Sequence, residues 1–201
     1  MYKCFWSGAV TCLLLAFVLC FQTYALEGGK VIGAEKIYFS GGYSSSSSGG
    51  TNSSMLPIGV GYGFSNEFEG SAAYAFLNLA GLSASGFELG IKYQLLKSEN
   101  SGINLAFDVP VAIYSVLGIS VNQSGLLVDI SKDFQGYSPF ISAGVGVTSS
   151  GSNSITSYPV SLGIVFYPAN NYDLYGSIGT SFHSNGGNNP TDLSVGVEIK
   201  I

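Results

Sequence analysis

From about residue 31 to its end, this chain places apolar residues at every second position, again and again, without gathering them into long runs. The last ten residues are the plainest case. Leu193, Val195, Val197, Ile199 and Ile201 alternate with Asp192, Ser194, Gly196, Glu198 and Lys200. Successive side chains of a strand point to opposite faces, so a period of two makes a strand with one apolar and one wet face. Phe87 to Leu95 repeats the pattern, with Glu88, Gly90, Lys92 and Gln94 on the second face. After residue 25 no stretch offers the ~18 uninterrupted apolar residues that a spanning helix requires. A chain written this way is all-β.

Cutting at the Gly, Ser and Asn clusters predicts about ten strands, with eight as the smaller option. They cover 31–40, 56–64, 68–79, 87–95, 103–114, 119–131, 139–148, 158–167, 172–183 and 192–201. In the sixth the apolar parity changes near Gly125, from Ile119 and Val121 to Leu126, Val128 and Ile130, which predicts a bulge. The odd-numbered connections are mostly loose Ser/Gly/Asn tracts, at 41–54, 81–85, 149–154 and 184–190. Residues 41–54 are expected to form an exposed, mobile loop. The even-numbered connections, at 65–67, 98–102, 132–138 and 168–171, are turns carrying charge or Asn. Tyr62, Phe64, Phe68, Tyr93, Phe134, Tyr137, Phe140, Phe166, Tyr167, Tyr172 and Tyr175 crowd around those turns, as a girdle at a lipid headgroup layer would. An even strand count puts both termini at that end.

Composition decides which face meets which medium. Charged residues make up 9% of the chain, against roughly 25% in soluble domains. Ten strand residues at ~3.3 Å each, tilted by about 40°, climb roughly 25 Å, the height of a lipid-facing band. Apolar side chains therefore point out to lipid and polar ones into a lumen, although a secreted soluble barrel of lipocalin type uses the same alternation inverted. The absence of arginine and the net charge of -5 speak against a nucleic-acid partner.

The N-terminus has the build of a cleavable secretory signal peptide over 1–25: Lys3, then apolar Leu13 to Phe21, then Thr23-Tyr24-Ala25 as a small-x-small site. Cys4, Cys12, Cys20 and Trp6 all fall inside it. Lipidation at Cys20 is the less favoured alternative, because the bulky Leu19 precedes it, and an uncleaved anchor is less favoured still.

The leader, the hairpins with one loose and one tight end, and the alternating final strand together resemble small bacterial outer-membrane β-barrels of porin-like and OmpA-like type. The resemblance is architectural and covers the chain from residue 26 to 201. It implies a closed antiparallel up-and-down transmembrane barrel in the outer membrane, with short periplasmic turns and longer extracellular loops. It also implies lipid as the partner of Leu193, Val195, Val197, Ile199 and Ile201, and recognition of the C-terminal strand by the barrel assembly machinery. That family usually ends on an aromatic residue, where this chain has Ile201. A monomer is expected.

Chemistry is sparse. His183 is the only histidine, beside Ser181 and Ser184, with Asp192 across the last hairpin. A lone His at a polar rim seldom makes a nucleophilic site, so neither catalysis nor a metal or cofactor is expected. The inward face would carry Glu69, Glu88, Lys92, Asp108, Asp129, Asp173, Glu198 and Lys200 among many Gly and Ser residues. Six acids against two lysines suit either a narrow water-filled passage favouring cations or a closed, paired network. Three functions follow: a passive channel or barrier-forming barrel, a surface-interaction protein working through its Ser/Gly/Asn loops, and, least favoured, a soluble ligand-binding barrel.

Overall fold

The computed structural model describes residues 29–186 and 189–201. The leader expected over 1–25 lies outside them. The strands are β1 (Ile37–Ser48), β2 (Thr51–Gly63), β3 (Phe68–Leu79), β4 (Leu82–Leu96), β5 (Asn104–Val116), β6 (Ile119–Ser131), β7 (Tyr137–Ser150), β8 (Asn153–Ala169), β9 (Tyr172–His183) and β10 (Thr191–Lys200). A single helical turn, α1 (Ser98–Ser101), lies between β4 and β5. Each strand pairs antiparallel with its neighbours in sequence, and β1 pairs with β10, so ten strands close into a barrel. Closure leaves no edge whose backbone groups would go unpaired in hydrocarbon.

The expected faces are the observed ones. Along β4, Phe87, Leu89, Ile91, Tyr93 and Leu95 are 47–67% exposed, whereas Glu88, Lys92 and Gln94 are at most 5% exposed. In β10, Leu193, Val195 and Ile199 stand outward at 48–58%, Val197 is half-buried on the same face, and Ile201 is 76% exposed at its end. An apolar wall of this extent is suited to a hydrocarbon surround.

Several expectations need correcting. The serine tract at 41–54 is not a mobile loop. β1 and β2 run through it, paired from Ser44↔Met55 to Ser48↔Thr51, and only Gly49-Gly50 turns the chain. Both glycines have positive φ, 56° and 83°, as a two-residue hairpin turn demands. Two-residue turns also close the hairpins at 80–81, 117–118 and 151–152, so apart from 184–190 this end has no long loops. The longer connections, 64–67, 97–103 and 132–136, lie at the end that holds the termini. The contrast between longer extracellular loops and short periplasmic turns is therefore mostly reversed.

β6 carries no bulge at Gly125, because its register against β5 and β7 is unbroken there. Val121, Leu127 and Asp129 all face inward. The parity change records an apolar layer of the lumen giving way to a polar one. Register shifts occur instead at Gln94/Leu96 and Phe166/Ala169. Residues 31–36 precede β1 rather than belonging to it.

Candidate functional site

The lumen holds the sequence's chemistry. Glu69, Glu88, Lys92, Asp108, Asp129, Asp173 and Glu198 are all buried on the inner face, and Lys200 is half-buried at its end. Asp192 joins them at 4% exposure. Three levels can be distinguished along the barrel.

At the terminus end, residues 29–36 fold back into the mouth. An approaching backbone brings unpaired N–H groups, and the wall meets them with acceptors. The amide of Ile32 donates to Glu69 Oε2 at 2.8 Å, that of Val31 to Gln94 Oε1 at 3.3 Å and that of Gly29 to Ser131 Oγ at 3.3 Å. Gln94 Nε2 donates to Asn104 Oδ1 at 3.0 Å, and Asn104 Nδ2 to Ser131 Oγ at 3.3 Å, tying the acceptors together. Val31 and Ile32 are buried. A Cβ on Gly63 would fall on the carbonyl of Gly33, so the close approach depends on that glycine. Clefts of about 310 and 180 Å³ flank the segment; Lys30 and Val31 line both.

The middle level is charged. Register places Lys92 between Glu69 on β3 and Asp108 on β5, and Lys92 Nζ lies 3.7 Å from Asp129 Oδ2. Lys200 is hydrogen-bonded and ion-paired with Asp173. Glu88 accepts from the Tyr114 hydroxyl through Oε1. A cavity of about 50 Å³ remains here, bordered by Glu69, Glu88, Lys92, Asp108 and Glu198 with Tyr38 and Tyr175. Most of the room that the glycine-rich face seemed to offer is filled by aromatic rings. A Cβ on Gly61 would strike the Tyr38 ring, one on Gly196 the Tyr175 ring, and one on Gly163 the Phe140 ring. Phe140, Tyr167 and Tyr175 therefore do not belong to an outer girdle; they pack inside. Tyr62, Phe64, Tyr93, Phe134, Tyr137 and Phe166 do face outward near the terminus-end connections, and Tyr43, Phe76, Phe87, Tyr158 and Phe182 form a second exposed aromatic group on the hairpin side.

The hairpin end is capped by an apolar layer inside the barrel. Met55, Leu77, Leu79, Tyr114, Val116, Val121 and Ile155 pack together there, each at most 6% exposed. Beside the cap, Ser181, His183 and Asp192 turn inward, and Ser46 pairs in register with Asp192. Among the described residues, no hydrogen bond joins Ser181 Oγ, a His183 nitrogen or an Asp192 carboxylate oxygen to another of the three, so they are not linked as a relay. Nor does any group of three His, Cys, Asp or Glu residues converge closely enough to chelate a metal ion.

Among the described residues, solvent-facing charge is confined to one end. Lys30, Glu35, Lys36, Glu67, Lys97, Glu99, Lys132 and Asp133 all lie at the terminus-end mouth and turns. There Lys97 Nζ is 2.6 Å from Glu67 Oε1, and this hydrogen bond holds the Glu67 carboxyl below the usual carboxylate range.

No family model and no curated protein sequence matches the chain. Solved structures share its fold. An outer membrane channel from Pseudomonas putida F1 superposes with a TM-score of 0.56 at 9% identity, over 86% of this chain and 98% of that one. The β domain of the Bordetella autotransporter Brka gives 0.52 at 11% identity, over 84% and 100%. A bacterial polysaccharide outer membrane secretin gives 0.51 at 11% identity, over 83% and 69%.

Proposed function

We propose that the chain is a bacterial outer-membrane β-barrel with an occluded lumen, a closed lipid-embedded element of the membrane barrier rather than a diffusion pore. One observation carries this reading: the lumen is filled at three levels, by residues 29–36, by the charged and aromatic middle layer and by the apolar cap. A passive channel needs a continuous wet path, whereas the middle cavity here is about 50 Å³, room for only a few waters. The outer-membrane setting is supported by the apolar wall, the closed sheet and the fold shared with outer-membrane proteins. Export by the leader, handling of β10 by the assembly machinery, a monomeric state and the lack of an enzymatic role belong to the same proposal. So does any contact with surface partners, which would fall to the uncharged hairpin tips.

The test is conductance. Refolded barrel that shows heat-modifiable gel mobility, inserted in planar bilayers, should give no steady ionic current. Stable unitary conductance would overturn the occluded reading. It would favour a narrow cation-favouring passage, a second reading that the acid surplus and the two clefts beside residues 29–36 support. In that case Glu88→Gln or Asp108→Asn should lower the cation selectivity. Recovery of the protein in a detergent-free periplasmic extract would remove the membrane setting altogether.

A further inference from the structure

The charges of the middle layer do not balance within it. Lys92 stands among Glu69, Asp108 and Asp129, and Lys200 is held by Asp173. Lys200, already held by Asp173, also acts on Glu198, so two lysines serve six acids; Glu88 and Glu198 are 1% and 2% exposed. Both border the ≈50 Å³ cavity. Glu88 uses Oε1 to accept from Tyr114. Oε2 of Glu88 and Oε2 of Glu198 have no hydrogen-bond partner among the described residues. Buried carboxylate oxygens without partners are costly, and charges in low dielectric must be paired or wetted.

We infer that this cavity is a binding site for a monovalent alkali cation, held with one or two of its waters between Glu88 and Glu198. The carboxylates do not converge into a direct chelating set, which excludes the close oxygen cage that a tightly bound divalent ion needs. A cation that keeps some of its water accepts wider spacing, and the cavity admits a few water-sized bodies. The neighbouring hydroxyls of Tyr38 and Tyr175 are further oxygen ligands for such an ion or its waters. With the apolar cap on one side and residues 29–36 on the other, the ion is enclosed during folding and becomes part of the folded barrel. The inference stands whether or not the barrel conducts.

Two measurements test it on the intact barrel. The first is crystals grown in rubidium or thallous salt, which should show an anomalous peak in the cavity. The second is urea unfolding in micelles at pH 8, compared between sodium chloride and N-methylglucamine chloride at equal ionic strength. A site with a dissociation constant near 1 mM would favour the folded state about 100-fold at ~100 mM sodium. Glu88→Gln with Glu198→Gln should abolish both the peak and the sodium dependence. An empty cavity in wild-type crystals, together with identical unfolding in the two salts, would overturn the inference and mean that protons neutralise these carboxylates. Both wild-type measurements stand even if the double variant does not refold.

Discussion

Removing the cation at the centre of the lumen should cost more than any single surface change. Lys92 is 5% exposed, and its Nζ lies 3.7 Å from an Asp129 side chain with no exposed surface. At an effective dielectric constant of ~20, that separation corresponds to about 4–5 kcal/mol of attraction. Lys92→Met keeps most of the volume and discards the charge, leaving Glu69, Asp108 and Asp129 facing one another. Breaking a buried pair from one side typically costs about 3–5 kcal/mol, so the folded-to-unfolded ratio should fall by roughly two to four decades. The mature chain has no tryptophan if the leader is cleaved, so far-UV circular dichroism or the gel mobility shift should follow urea unfolding in micelles. Lys92→Met with Asp129→Asn should recover a large part of the loss. A single variant within ~1 kcal/mol of wild type, or a double variant no better than the single, would refute the idea that Lys92 organises this layer.

Other consequences can be checked separately. Val195→Arg, on a side chain 58% exposed on the outer wall, should destabilise the barrel in lipid by about 2–4 kcal/mol, and Thr191→Arg near the strand end by only ~0–1 kcal/mol; equal costs would argue against a bilayer around β10. Gly196→Ala should drive the Tyr175 ring from its seat and cost about 1–3 kcal/mol; in a Tyr175→Ala background the same change should cost little, and additive losses would show that the ring does not rest on Gly196. Because Lys97 holds Glu67 below the usual carboxylate range, that pairing is intact above this range and is lost as pH falls through the depressed value. Lys97→Gln should therefore raise the Glu67 titration midpoint followed by NMR, and an unmoved midpoint would contradict the pairing.

Period-two alternation made most of the wall legible in the sequence, including the inward turn of every acid and lysine expected there. It works where one face is apolar and the other polar, and it fails where the two faces agree. Ser44 to Ser54 is polar on both faces, so two paired strands looked like a loop. Around Val121 and Leu77 apolar residues face inward as well as outward, so the cap resembled a register fault or a strand end. The rings over Gly61 and Gly196 escaped notice for another reason. A glycine face shows that space exists, but not which ring from a neighbouring strand fills it. Residues 31–36 are expected to begin the first strand, and the acceptors waiting at Glu69 and Gln94 divert them into the mouth.

The pairing of β1 with β10 has a consequence for how fast the molecule can form. Nine of the ten ladders join strands adjacent in sequence, four of them across two-residue turns at the hairpin end. Those can zip locally, since short loops cost little closure entropy. The tenth joins Tyr38 to Lys200, from nearly opposite ends of the described chain. Until it forms, the sheet carries two free edges and a lumen open along its seam. Barrel closure is thus the one long-range step in an otherwise local topology, and it should set the folding rate. It is also the last moment at which ions and water can enter the middle of the lumen from the side.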